Sequence, residues 1–198
     1  MTSDARARLI AALGRDGPAS SDYDLATQFR PTGARKLRDA AVLVAVTGYT
    51  AQPEVILTKR SPRLAHHPGQ VAFPGGKVDP GDDGPVGAAL REAREEIGLP
   101  HDHAEVLGTL PEHETVTSFR VTPVLAWIHT PFDPQPEAGE VAEVFRVPLA
   151  HLMNPTSFSV QSRRWQGRQR PYYVVPWGPY YIWGATARML RALADRVA

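Results

Sequence analysis

Residues Gly75–Leu99 read GGKVDPGDDGPVGAALREAREEIGL, and the second half of this stretch has the period of a helix. Pro85 suits a first helical turn, with Asp83 or Gly84 as cap, and Gly98 followed by Pro100 supplies a stop, so the spacing predicts a helix over 85–97. Val86, Leu90, Ala93 and Ile97 fall on one stripe, and Glu92, Glu95 and Glu96 fall on another. Like charges three and four apart cost a helix roughly 0.2–0.5 kcal/mol per pair, which Arg91 and Arg94 offset only in part. A bound cation removes the conflict. Clustered carboxylates are hard oxygen ligands suited to Mg²⁺ or Mn²⁺, ions that keep several waters while touching phosphates. Such an ion lowers the pKa of a bound water and presents it to phosphorus. The plain alternative is a solvated helix face. A solvated face, however, has no need of the preceding FPGG turn, Phe73–Gly76, whose glycines let backbone approach an ion or a phosphate.

Outward from this helix, AAVLVAVT (40–47) and EVILTKR (54–60) read as paired strands across a Gly/Pro-containing turn. QVAF (70–73) is a short strand between two turn clusters. Beyond the helix, AEVLGTL and RVTPVLAWI read as strands joined by the loop PEHETVTSF, and 130–139 is a Pro-rich loop. Residues 140–147 begin a helix or a strand. A hairpin over 163–175 turns at Gln166-Gly167, and 182–197 carries a helical apolar face. At the N-terminus, Asp4 caps a short helix through Arg15 with Leu9, Ile10 and Leu13 facing inward.

At 198 residues the chain suffices for one domain with terminal additions, burying roughly 70% of its unfolded surface. Its formal charge is +1, with 22% charged and 42% hydrophobic residues, which argues against disorder and against a broad nucleic-acid footprint. No cysteine is present, which excludes thiolate nucleophiles, disulfides and cysteine zinc sites. No apolar run is long enough to span a bilayer and no signal-peptide core is visible, so a cytoplasmic location with no membrane partner is expected. The oligomeric state is left open.

The helix resembles the second half of the Nudix hydrolase signature through Arg91, Glu92, Ala93, Glu95, Glu96, Gly98 and Leu99. The first half departs from it: counting from Gly76, the acidic position is Asp82 rather than Glu, and one extra residue precedes Arg91. Upstream, LTKRSPRLAHHPGQVAFPGG (57–76) resembles the extended signature of the coenzyme A pyrophosphatase branch, which shares the longer spacing. The resemblance covers most of the chain after Ala40. It implies an α/β fold, a Nudix-type α/β/α sandwich with a mixed β-sheet, comprising an N-terminal helical extension over 1–35 and the hydrolase domain over 36–198. It further implies metal binding by Glu92 and Glu96, with Glu95 and the Gly76 carbonyl contributing, and Arg91 holding a catalytic carboxylate by a bidentate pair. The implied substrate is a small nucleotide, coenzyme A or a derivative, cleaved at its diphosphate.

The general base is open between Glu92 and a loop glutamate, for which Glu140 is the candidate and Glu143 the neighbour. Arg60, Arg63 and His67 precede the Gly-rich turn and could engage phosphates, with Gln70 and Phe73 beside them in the substrate-binding set. His67 could equally hold the loop through a backbone bond. Tyr172, Tyr173, Trp177, Tyr180, Tyr181 and Trp183 could stack a base or line a channel, although core packing is the commoner role. His101 and His103 receive no function. Two competing readings are a Nudix hydrolase of ADP-ribose, dinucleoside polyphosphates or nicotinamide dinucleotides, and a non-catalytic nucleotide sensor.

Overall fold

The computed structural model describes residues 2–165 and 167–198. In chain order it contains α1 (Thr2–Leu13), β1 (Ser20–Ser21), β2 (Arg38–Thr47), β3 (Glu54–Arg60), β4 (Val71–Ala72), β5 (Gly75–Lys77) and α2 (Gly84–Ile97). Then follow β6 (Ala104–Thr109), β7 (His113–Glu114), β8 (Phe119–Ile128), β9 (Val141–Pro148), the short α3 (Leu149–Leu152), β10 (Ser159–Trp165), β11 (Arg168–Val174) and α4 (Gly184–Val197). Among the described residues, nine strands join one sheet with the path β1-β7-β8-β2-β3-β4, onto which β5, β6 and β9 add beside β2, β8 and β3. The sheet is mixed, because β2 runs parallel to β8 along its whole length and β1 runs parallel to β7, while the other pairs are antiparallel.

The continuous apolar reading of β2 follows from cover on both faces of the sheet. On one face Ala41, Leu43, Ala45, Val124, Ala126 and Ile128 pack against Ala88, Ala89, Ala93 and Ile97 of α2. On the other, Val44, Val46, Leu125 and Trp127 join Leu9 of α1 and Leu190 and Leu193 of α4. Burying each of the larger side chains is worth about 1.5–3 kcal/mol. Helices thus cover both sides, and the α/β/α sandwich with a mixed sheet is the observed architecture.

Several local expectations change. Asp4 lies inside the first turn of α1 rather than at its cap. Ile10 is 42% exposed while Leu9 and Ala12 are buried, because the buried face follows the i, i+3 spacing that Ile10 leaves. Helix α2 ends at Gly98, which adopts the left-handed conformation, but Asp83 makes no side-chain cap. On its buried side Ala88 and Ala89 go inside, while Val86 and Leu90 pack at the margin. Gly75 and Gly76, expected as part of the FPGG turn, open strand β5, which pairs with β2. Residues 141–148 resolve to strand. The hairpin exists as β10 and β11, with Gln166 of its expected turn outside the described residues. No helix among the described residues is long and apolar enough to cross a membrane.

Candidate active site

Helix α2 presents its three glutamates in three environments. Glu96 is 4% exposed, and its Oε2 accepts the Gly75 N–H at 3.2 Å. Burial pushes its carboxyl up to about 7, with the charges of Glu92 and Glu140 adding to the rise and the Gly75 N–H and Arg60 opposing it. Glu92 is also pushed above the usual carboxylate range, by burial first, with Arg91 opposing and Glu95 and Glu140 reinforcing. Glu95 points outward, its side chain 58% exposed. The second stripe of the helix therefore divides into one buried, one half-buried and one exposed carboxylate.

Arg91 gathers this group. Its Nε and Nη2 donate to Asp82 Oδ1 and Oδ2 at 2.8 and 3.0 Å, a bidentate fork of the strong kind. Its Nη1 donates to Glu92 Oε1 and Glu95 Oε2, each at 3.0 Å, and Nη2 reaches the Lys77 carbonyl at 3.2 Å. The hydrogen bonds from Arg91 hold the Asp82 carboxyl below its usual range. The departure from the broad signature thereby acquires a physical role, since Asp82 also accepts the Asp79 N–H at 2.8 Å and shapes the longer loop into a partner for Arg91.

Glycine is required twice in β5 for different reasons. A Cβ at Gly75, whose φ is +155°, would run into the backbone of Ala41 and Val42 on the neighbouring strand, whereas one at Gly76 would run into the Glu92 carboxylate. Gly76 therefore leaves a cradle that the carboxylate occupies. Oxygen donors from Glu92 and Glu96 beside this bare backbone fit a hard divalent cation such as Mg²⁺ or Mn²⁺. Among the described residues no three His, Asp or Glu side chains enclose an ion by themselves, a donor set consistent with an ion that keeps waters and substrate oxygens in its shell. A cation here would reverse the upward shifts of Glu92 and Glu96.

On the opposite side of β5 opens a cleft of about 820 Å³, within the usual size of small-molecule sites. Gly75, Gly76 and Lys77 form one wall, so the strand carrying the carboxylate cradle also borders the cleft. Of the residues singled out upstream, Arg60, His67, Gln70 and Phe73 all line it. Phe73 does so as a buried core residue. Arg63 is exposed and is not among the lining residues; its N–H donates to Ser61 Oγ at 3.3 Å. His67 adopts a φ of +54°, which ties it to the shape of the loop, and its carbonyl accepts the Gln70 N–H at 3.2 Å.

The loop glutamates also separate. The Glu140 carbonyl accepts the Ser61 N–H at 2.7 Å, and the charge of Glu140 acts on both Glu92 and Glu96. Glu143 instead accepts a hydrogen bond from the Tyr180 hydroxyl. The aromatic group divides likewise: Tyr172, Tyr173 and Trp183 line the cleft, Trp177 and Tyr180 pack on the core, and Tyr181 is exposed.

Some of the cleft's residues carried no signal in the sequence reading. Ser21, Asp22 and Leu25 come from the N-terminal segment and Arg163 and Arg170 from the hairpin. The N-terminal segment is fixed by pairing of β1 with β7 and by Asp22. Its Oδ2 accepts the Val116 N–H at 3.0 Å, and its Oδ1 lies 3.3 Å from Nε2 of the buried His113. Ser20 Oγ stands 2.9 Å from the other ring nitrogen of that histidine. Burial pushes the Asp22 carboxyl up, but the hydrogen bond and charge of His113, the Val116 N–H and the Arg170 charge outweigh it and hold the group below its usual range.

Comparison with known proteins agrees with this geometry. The NUDIX domain model matches residues 36–173. A protein of Citrobacter koseri described as an uncharacterized Nudix hydrolase, NudL, is 41% identical over 160 residues, covering 81% of this chain and 83% of its own length. A namesake from an Enterobacter species is 39% identical over the same shares. Among solved structures, the MutT protein from Methanosarcina mazei Go1 superposes with a TM-score of 0.52 at 19% identity, covering 83% of this chain and 97% of its own, a likeness of fold. With the signature helix, the glycine cradle and the sandwich in place, the chain belongs to the Nudix hydrolase family, whose members act on diphosphate-linked nucleotides.

Proposed function

We propose that this Nudix hydrolase cleaves the diphosphate of coenzyme A, free, oxidised or acylated, giving 3',5'-ADP and 4'-phosphopantetheine or its derivative. One observation carries the reading: the segment 57–76, whose sequence resembles the coenzyme A branch, contributes Arg60, His67, Gln70 and Phe73 to a single cleft that reaches Gly76. The reading thus joins a substrate-selecting segment to the carboxylate cradle through one backbone strand.

The reaction adds one water across a phosphoanhydride. Its oxygen bonds to one phosphorus, the bond from that phosphorus to the bridging oxygen breaks, and the bridging oxygen leaves on the second phosphate. Glu92 and Glu96, with Glu95 and the Gly76 carbonyl as further donors, would hold Mg²⁺ or Mn²⁺, which when bound neutralises phosphate charge and acidifies water. Glu92, half-buried beside the cradle, accepts the water's proton, and Glu140 is the loop alternative. Arg91 fixes the Glu92 carboxylate while its fork anchors the loop at Asp82. Arg60, which lines the cleft and whose charge acts on Glu96, supplies positive charge toward the diphosphate, with Arg63, exposed and outside the lining, as a further candidate from the same segment.

The test is product analysis with Mg²⁺ or Mn²⁺ on coenzyme A, ADP-ribose, diadenosine polyphosphates and a nicotinamide dinucleotide. Release of 3',5'-ADP from coenzyme A in preference to cleavage of the others is expected. Preferential turnover of another substrate moves the assignment to that substrate, and absence of any metal-dependent turnover removes the catalytic reading in favour of a nucleotide sensor.

A further inference from the structure

The far wall of the cleft is the β10–β11 ribbon, and its register places Arg163 directly across from Arg170. Like charges in opposed positions work against a ribbon, yet both residues turn toward the cleft and line it. Arg163 is exposed and forms no carboxylate ion pair among the described residues. Arg170 is only 7% exposed. Its Nε has no hydrogen-bond partner, its Nη2 donates to the Asp22 carbonyl at 3.3 Å, and its guanidinium lies 5.1 Å from the Trp165 ring centroid. The Asp22 carboxylate approaches no closer than 3.9 Å, being engaged by Val116 and His113. The two arginines thus enter one cleft from opposed positions, Arg163 turned toward Trp183 and Arg170 toward Trp165, with the Asp22 carboxylate only loosely matched to Arg170.

Aromatic surface adjoins this pair. Two residues along the same ribbon face, Tyr172 stands across from Gln161 and meets the Trp183 ring edge-on at 5.2 Å and 63°. The Arg163 guanidinium lies 4.6 Å from the Trp183 centroid. Aromatic surface in a cleft that two arginines line is the chemistry that receives a nucleoside bearing a phosphate monoester, the base against the rings and the phosphate on a guanidinium fork.

We propose that Arg163 and Arg170, with Trp183 and Tyr172, form a specificity site for a phosphate monoester on the nucleoside half of the substrate, with the Asp22 carbonyl accepting from Arg170 at its back. The inference rests on the coenzyme A reading and deepens it, because the ribose 3'-phosphate is the group that ADP-ribose and dinucleoside polyphosphates lack. It also gives the N-terminal segment, which precedes the matched domain, a part in substrate choice.

The experiment pairs ligands that differ only in that phosphate. Binding of 3',5'-ADP and of 5'-AMP is measured calorimetrically on the full chain and on Arg163→Gln and Arg163→Lys, substitutions at an exposed position that spare the core. The parent is expected to bind 3',5'-ADP at least about tenfold more tightly, Arg163→Gln to lose most of that ratio, and Arg163→Lys to recover part of it. In turnover, Arg163→Gln should lower kcat/KM for coenzyme A about tenfold more than for its dephosphorylated form, through KM rather than kcat. A parent without preference, or an Arg163→Gln protein that keeps the ratio or weakens both ligands equally, overturns the inference. An Arg163-dependent ratio in a protein that does not cleave coenzyme A keeps the site and overturns the substrate. Cleavage of coenzyme A with the ratio unchanged in Arg163→Gln keeps the substrate and overturns the site.

Discussion

The two faces of the central sheet are built from residues of different size. Toward α2 they are small, with Ala41 and Ala45 meeting Ala88, Ala89 and Ala93, so the helix lies close and brings Glu92 and Glu96 onto β5. Toward α1 and α4 the buried residues are larger, Leu125, Trp127, Leu190 and Leu193 among them, and the sheet end beyond them is left open as the cleft. Small residues let a helix approach a sheet closely, whereas larger ones hold the layers further apart. The difference sets the α2 carboxylates and the cleft in different packing environments, with β5 touching both, and under the proposed function it divides chemistry from selection.

Four substitutions would sharpen or break that division. Glu96→Gln, nearly isosteric and still able to accept the Gly75 N–H, should lower metal-dependent kcat/KM at least about a hundredfold, a barrier rise of ~2.7 kcal/mol, with an unchanged circular dichroism spectrum. Full activity would remove Glu96 from the metal site. Gly75→Ala should act on the fold, because its Cβ meets neighbouring backbone; a loss of about 2 kcal/mol, or roughly 4–8 °C in Tm, is expected. Gly76→Ala should do the converse: the Glu92 side chain swings aside, Tm stays within about 2 °C, and kcat/KM falls about tenfold, ~1.4 kcal/mol. Equal behaviour of the two alanine variants would end the distinction between strand pairing and carboxylate cradle.

The smallest effect belongs to the cleft side. Asp22→Asn should cost about 1 kcal/mol of stability near neutral pH, the net value of one ordinary hydrogen bond. Because the folded carboxyl is held below its usual range, its contribution is fully present above the unfolded pKa of about 3.9 and is lost as pH falls through the folded value. Urea melts across that range should show parent and variant converging in acid. A constant difference down to about pH 2.5 would show that Asp22 contributes through packing and not through its charge.

Legibility in the sequence followed the range over which each interaction acts. Helix α2, its stop at Gly98 and its acidic stripe were plain because the causes lie within a few residues. Which of the three glutamates is buried was not, since that depends on Gly75 and on where the sheet passes. Strand β5 was read as turn because glycines suggest bends, and only the strand pairing with Ala40–Val42 reveals why glycine is wanted. The two-residue strands β1 and β7 lie in loops and exist through long-range pairing, β1 on β7 and β7 on β8. Arg163 and Arg170 were legible only as parts of a hairpin, because their opposition depends on its register. Arg60, His67, Gln70 and Phe73 were found through family resemblance rather than by spacing, and their meeting in one cleft is a product of the fold.

Strands β2 and β8 run side by side for ten residues, yet β3 to β7 and α2 lie between them in the chain. Parallel pairing across so long a loop is entropically costly until much of the domain has condensed, and it slows folding. Because β5 lies along one edge of β2 and β7 along one edge of β8, the carboxylate cradle and the Thr115–Thr117 side of the cleft await the same late event. Recovery of catalysis during refolding should coincide with recovery of the native near-ultraviolet signal, with no phase in which a partly folded chain already turns over substrate. A newly made molecule is thus silent until its last long-range register is set.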